Sequence, residues 1–467
     1  MESAKRFIRS SAIYFAGNVL TKIISFFLLP IYTARIATGE MGYYDTSVSY
    51  LNILVPVICM EIWSAIMRYI YDFEDEEGKY KAVFNGLVMF TGSVVLYTLL
   101  FGALKLFTDI SFLLFIYLYG LFTMLLNVYS YSSRALGYTT VFAVSGIIGS
   151  LVNSLSNIVM ILCFGMTVDS LYLAMIIGFA VQIGIMESRV RLLSKLRFSL
   201  FDGAMIRSMV KFSLPLCLNS ACFWFLSGYN RVAVTHVLGL EANGLYAAAG
   251  KFAYALTLVS ICFNMAWQEL SYSHGNDADR SELYSTAANY YIKFIAVGSI
   301  LFLPAIQLVF PFFIRGNYGG CFSLIPLYIL ATGVSIFSIF QGNIFVAEKK
   351  TGTIFVATVS AAACNVASFH LLVGSIGVQA ANVALLLGFT VNVVILNIML
   401  KKTVHIRVDI PFLLGSLVLF AAASWVYMTN LTWLNLLFAA AVCAISLFVF
   451  RDLIKLAAGA IGRKLKK

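Results

Sequence analysis

Four ionisable side chains stand where such groups are expensive. Lys22, Arg231 and Lys251 each lie several residues inside an apolar run, and Glu61 lies inside another. A charge at the centre of a bilayer costs about 2.5–3.5 kcal/mol on insertion scales, so residues of this kind face a cavity or a partner. Three cations against one acid define a pocket that attracts anions and repels organic cations. Their neighbours fit a polar pocket. Asn18, Lys22 and Ser25 share one helix face by their i, i+4, i+7 spacing. Ser220, Trp224, Ser227 and Arg231 recur at a similar interval with Asn219 and Asn230 beside them, and Lys251 lies next to a stripe of Tyr254, Thr257, Asn264 and Gln268. Glu61 and Arg68 are seven residues apart on one face and form an expected salt bridge. Arg35 and Arg68 sit at run ends, where long cationic chains reach the interface at little cost.

The elements that position these residues are membrane spans. The chain has 467 residues, 61% of them hydrophobic and only 11% charged, against about a quarter charged in an ordinary soluble domain. Soluble enzymes, disordered chains and nucleic-acid readers are excluded on that ground. A spanning helix needs about 20 mostly apolar residues. Fourteen such runs can be placed, among them about 12–36, 45–67, 212–237, 245–269, 410–428 and 434–450. With both termini assigned to the cytoplasm, the cytoplasmic segments hold 26 of the 32 Lys and Arg residues, which is the expected bias. The net charge of +11 therefore reads as topology. The expected fold is all-α and polytopic, a multi-pass protein of the cytoplasmic membrane. Lys5, Arg6 and Arg9 precede a retained first helix without a small-residue cleavage site.

The longest polar stretches, about 187–211 and 270–289, are too short for a separate domain. Eight scattered cysteines and four scattered histidines form no metal-ligand spacing, so no metal and no cofactor is expected. A weak internal repeat is visible. Glu40-Met41-Gly42-Tyr43-Tyr44 follows the first run, Ala242-Asn243-Gly244-Leu245-Tyr246 follows the seventh, and both read as short external turns. Gly42 matches Gly244 and Tyr44 matches Tyr246 at an offset of 202. Repeated halves with a site between them are a transporter pattern. The expected division is an N-terminal lobe over 1–211, a C-terminal lobe over 212–400, and a segment over 401–467 with the last two spans and a basic tail.

Several stretches resemble the polysaccharide transporter family, the Wzx-type flippases of lipid-linked oligosaccharides, within the superfamily that also holds the MATE exporters and lipid II flippases. They are Asn18–Ser25, Leu28–Thr33, the Gly39–Asp45 segment, Arg68 at the end of the second span, Ser133–Gly137, and Asn243–Lys251. The resemblance implies two lobes around a central cavity, alternating access, and no enzymatic activity. The implied cargo is an oligosaccharide on an undecaprenyl phosphate or pyrophosphate, carried outward for O-antigen, capsule or exopolysaccharide assembly. The implied partners are that glycan lipid, membrane lipids, and a polysaccharide polymerase and glycosyltransferases, with no nucleic acid and a monomeric state. By the same resemblance Lys22, Arg68 and Lys251 bind the phosphate, and Arg231 joins them from its own helix face. Trp224, Tyr254, Asn230 and Gln268 offer aromatic and amide surface to sugars. Glu61 and Asp45 are the carboxylates available to a coupling proton or sodium ion. A lipid II flippase is the nearest alternative and a MATE-type cation exporter a more distant one.

Overall fold

The computed structural model describes residues 26–273, 280–347, 351–401 and 406–451. Among them are sixteen α-helices and no strand. The first nine are α1 (Leu29–Arg35), α2 (Thr38–Cys59), α3 (Ile62–Ile70), α4 (Glu76–Phe107), α5 (Leu113–Ala135), α6 (Thr139–Cys163), α7 (Val168–Val190), α8 (Gly203–Ser227) and α9 (Tyr229–Leu238). Then come α10 (Leu240–Ser273), α11 (Arg280–Phe313), α12 (Ile325–Ala347), α13 (Thr351–Ile376), α14 (Gln379–Leu400), α15 (Ile410–Met428) and α16 (Thr432–Val449). Eleven helices among the described residues are long and apolar enough to cross a membrane, and twelve if the bent pair α2–α3 is one span. Most of the first expected run lies outside the described residues, and α10 occupies the eighth. The chain is an all-helical, multi-pass membrane protein.

Two compact units divide the chain. One holds the described residues of Met1–Ala247 with Gly316–Tyr318, the other those of Ala248–Arg315 and Gly319–Lys467. The boundary falls inside α10, so α8 and α9 belong to the first unit.

Polar caps mark where helices leave the apolar layer. The Asp75 carboxylate accepts the Gly78 N–H at 2.8 Å at the start of α4, and Asp409 accepts the Phe412 N–H at 3.1 Å at the start of α15. Each satisfies one of the four amides a helix start leaves open. At 32 residues α4 is about 48 Å long, so it continues beyond a hydrocarbon layer of about 30 Å.

Two sequence expectations need correction. The second span is not one helix. Met60 (φ 48°) and Glu61 (φ 53°) are both left-handed, and α2 and α3 meet there at 50°. Pro56, four residues before Met60, cannot donate to the α2 ladder, and its carbonyl receives the Glu61 N–H at 3.1 Å. Left-handed backbone costs a side-chain-bearing residue roughly 1–2 kcal/mol. The Gly42 and Gly244 segments, in turn, are not turns. Both lie in the opening helical turns of α2 and α10. A Cβ on Gly42 would run into the Leu240 carbonyl, and one on Gly244 into the Thr38 carbonyl. Leu240 and Thr38 are themselves separated by the repeat offset of 202, so the contact is reciprocal. These glycines serve helix crossing at backbone distance, as small residues do in membranes. Gly149 in α6 and Gly178 in α7 make a second such crossing, where a Cβ on either would come within 2.8 Å of the other's carbonyl oxygen.

The linker between α7 and α8 is strapped to α4. The fully buried Asn85 donates to the Leu200 carbonyl at 2.9 Å and accepts the Asp202 N–H at 2.8 Å. Asp202 caps α8 through the Ala204 and Met205 amides and pairs with Lys81 at 2.7 Å. In the second unit α11 packs against α15 and α16, and α14 against α12 and α13. The Phe263 ring stacks on Tyr291 at 3.9 Å, and Trp267 on Phe340 at 4.3 Å.

Gly42→Ala and Gly244→Ala should each cost about 1–3 kcal/mol, the usual penalty of overpacking. Gly92→Ala, with nothing within 4 Å of its added carbon, should not destabilise; thermal unfolding in detergent reads all three. Lys81 first, and the Met205 amide next, hold the Asp202 carboxyl below its ordinary value of 3.8. Because the folded pKa is the lower one, the contribution is complete above the ordinary value and fades as pH falls through the folded one. Asp202→Asn should therefore lower the melting temperature at neutral pH, and the gap from wild type should close only under strongly acidic conditions.

Candidate functional site

A polar seam runs along α2 where it packs on α8 and α9, all within the first unit. It starts at the α2–α10 crossing. The buried Asn243 amide lies within reach of the Thr46 hydroxyl at 2.9 Å, the Gly42 carbonyl at 3.0 Å and the Asp45 carboxylate at 3.4 Å. Asp45 accepts from the Arg231 guanidinium in an ion pair whose side chains are only 14% and 31% exposed. Beside Asp45, Thr46 shares a hydroxyl hydrogen bond with Thr235 at 2.5 Å, and one turn further along α2 Tyr50 and His236 share one at 2.6 Å. The Trp224 indole N–H donates to the Ser49 carbonyl at 2.7 Å, and the Ser49 hydroxyl donates to the Gly228 carbonyl at 2.9 Å.

Beyond the bend the seam continues. The Ser220 hydroxyl donates to Glu61 at 2.7 Å and the Ser64 hydroxyl donates at 3.2 Å, one to each carboxylate oxygen. Tyr69 and Ser208 close the far end at 2.5 Å. The broken helix thus places Glu61 where the end of one helix and the start of another meet. Helix ends leave carbonyls and amides without intrahelical partners, and broken helices of this kind form ion sites in transporters.

The cations sort differently from the sequence expectation. Arg231 is paired with Asp45 and is not a surplus charge. Glu61 and Arg68 do not pair: seven residues of helix separate them by about 10.5 Å along the axis, and the Glu61 oxygens are taken by Ser220 and Ser64. Arg68 instead pairs with Asp72 at i, i+4, both half-exposed. Among the described residues Glu61 makes no ion pair. Trp224 and Asn230, at 8% and 1% exposure, are packed inside the first unit and do not line an open surface. Lys251 and Tyr254 are exposed on α10 in the second unit. Lys22, Asn18 and Ser25, and the Gln268 side chain, lie outside the described residues.

Sequence reasoning missed Asn243 as a donor, although it stands in the repeat motif next to Gly244. It also missed Asn85, a lone amide in an apolar run with no periodic partner to flag it.

The arrangement has relatives. No family model matches the chain. A membrane protein of Haemophilus influenzae (strain ATCC 51907 / DSM 11121 / KW20 / Rd) is 24% identical over 394 residues, covering 79% of this chain and 89% of its own length. Among solved structures, the lipid II flippase MurJ in an inward closed conformation superposes with a TM-score of 0.73 at 15% identity, over 95% of this chain and 100% of that one. An inward-facing MATE multidrug transporter of the MOP superfamily gives 0.66 at 13% identity, over 82% and 96%. An outward-facing MATE transporter gives 0.59 at 14% identity, over 85% and 96%. The chain has the all-helical fold that these transporters and the flippase share.

Removing one partner of a desolvated ion pair strands the other charge, at about 3–5 kcal/mol in full burial and less at this partial exposure. Arg231→Gln and Asp45→Asn should each lower the melting temperature in detergent. The double variant should recover part of the loss, and a double-mutant cycle with zero coupling would contradict the pairing.

Proposed function

We propose that the chain is a flippase that carries an undecaprenyl phosphate- or pyrophosphate-linked oligosaccharide across the bacterial cytoplasmic membrane by alternating access, both termini facing the cytoplasm. The observation that carries this reading is the likeness to a lipid II flippase over 95% of the chain, against 82% for the inward-facing MATE transporter. An apolar cargo is supported by α15 and α16, which pack on α11 around a cleft of about 250 Å³. Ala296, Ile300, Phe412, Leu419, Ile445 and Val449 line it, a surface suited to a polyprenyl chain and to no sugar.

The headgroup needs the opposite chemistry. A diphosphate crosses lipid only where donors replace its water, and cationic side chains give the strongest hydrogen bonds to phosphate. Lys251 is assigned that role, with Tyr254 one turn away as a face for a sugar ring; Lys22, Asn18, Ser25 and Gln268 are assigned by sequence. Arg68 contributes at its helix end, while Arg231 holds Asp45. Lipid II itself is the second reading, favoured by the same neighbour.

Glu61 is the candidate coupling site. An ionised carboxylate held by two neutral hydroxyls carries an uncompensated charge, which a proton or a sodium ion would cancel. Asp45 is already engaged.

In proteoliposomes carrying a fluorescent lipid-linked oligosaccharide, Lys251→Gln should slow flipping at least about tenfold with unchanged incorporation, and Lys251→Arg should retain most of it. A wild-type rate for Lys251→Gln would overturn the phosphate role. Glu61→Gln should abolish the response to an imposed proton or sodium gradient, and the gradient that drives the wild type identifies the ion.

A further inference from the structure

We propose that the linker between α7 and α8 is a binding site for the headgroups of anionic phospholipids. It joins two membrane spans, so it emerges at the membrane surface. Its backbone is fixed. The Glu187 carboxylate accepts the Leu192 and Leu193 N–H groups at 3.0 and 3.2 Å. Leu192 and Leu200 are buried as pegs, and Asn85 holds the far end. Lys195 lies 4.6 Å from the Tyr80 ring centroid and 3.7 Å from Glu76.

This fixed strap exposes two kinds of side chain that water alone does not favour. Leu193, Phe198 and Phe201 are 57%, 91% and 58% exposed although their backbone is pinned. Arg189, Arg191 and Arg197 are exposed beside them and make no ion pair among the described residues. Three acids that touch the linker are occupied: Glu187 by backbone amides, Asp202 by Lys81, Glu76 by Lys195. Three guanidinium groups without carboxylate partners next to three apolar side chains match a surface with phosphate above and acyl chain below. Guanidinium groups bind phosphate through paired hydrogen bonds, and the strap requires no ordering on binding because it is already held.

The site is separate from the cargo reading and can be tested without transport. The full chain in mild detergent is titrated with phosphatidylglycerol and, separately, phosphatidylcholine, and bound lipids are counted by native mass spectrometry. Wild type should prefer phosphatidylglycerol. Each arginine near an anionic lipid surface is worth about fivefold in affinity, so combining Arg189→Gln, Arg191→Gln and Arg197→Gln should reduce the preference at least tenfold. Phe198→Ser should weaken both lipids alike, and Lys401→Gln, at the end of α14, should change neither. No preference in wild type, a full preference in the triple variant, an equal loss with Lys401→Gln, or displacement of the lipid by millimolar inorganic phosphate would each overturn the proposal.

Discussion

The crossing of α2 and α10 at Gly42 and Gly244 fixes the geometry of the first unit. Two helices can approach with backbone against carbonyl only where neither carries a side chain, and lipid offers no hydrophobic reward that would replace such contact. Because the helices meet there, the Asn243 amide reaches Asp45 and Thr46. Because Asp45 is held on that side, Arg231 finds a counter-charge and α9 docks along α2. Bulk at either glycine would push the helices apart and undo the hydrogen bonds that follow.

The same seam shows two ways of keeping charge in an apolar layer. Asp45 and Arg231 neutralise each other as an ion pair. Glu61 has hydroxyl donors for both oxygens and no ion pair among the described residues. The left-handed pair at Met60 and Glu61 bends the chain by 50° at the point where Glu61 meets Ser220 of α8.

Composition and run length were enough to read the all-helical, multi-pass fold, because apolar helices of this length have few other solutions. The 202-residue repeat was legible too, but its meaning was not. Glycine beside asparagine reads as a turn by local chemistry, and only the partner helix shows that it is a crossing. The break at Met60 and Glu61 left one trace, Pro56, which membrane helices often tolerate without breaking. Charge depth could be read from Arg231 and Glu61, but pairing could not. Partners such as Asp45 and Ser220 lie over 150 residues away from them in sequence and meet only through the packing of α2 on α8 and α9.

The strap from Asn85 to Leu200 and Asp202 ties the span after the linker to the span before it. The sequence expectation divides the chain after the linker; by its bonds, the span after the linker remains with what came before. A hybrid built by swapping halves at the linker would inherit α8 and α9 from one parent and their whole set of anchoring partners from the other. A splice within α10, just beyond Ala247, would keep the seam, the strap and the glycine crossing in one piece, which makes that helix the natural joint for recombining relatives of this fold.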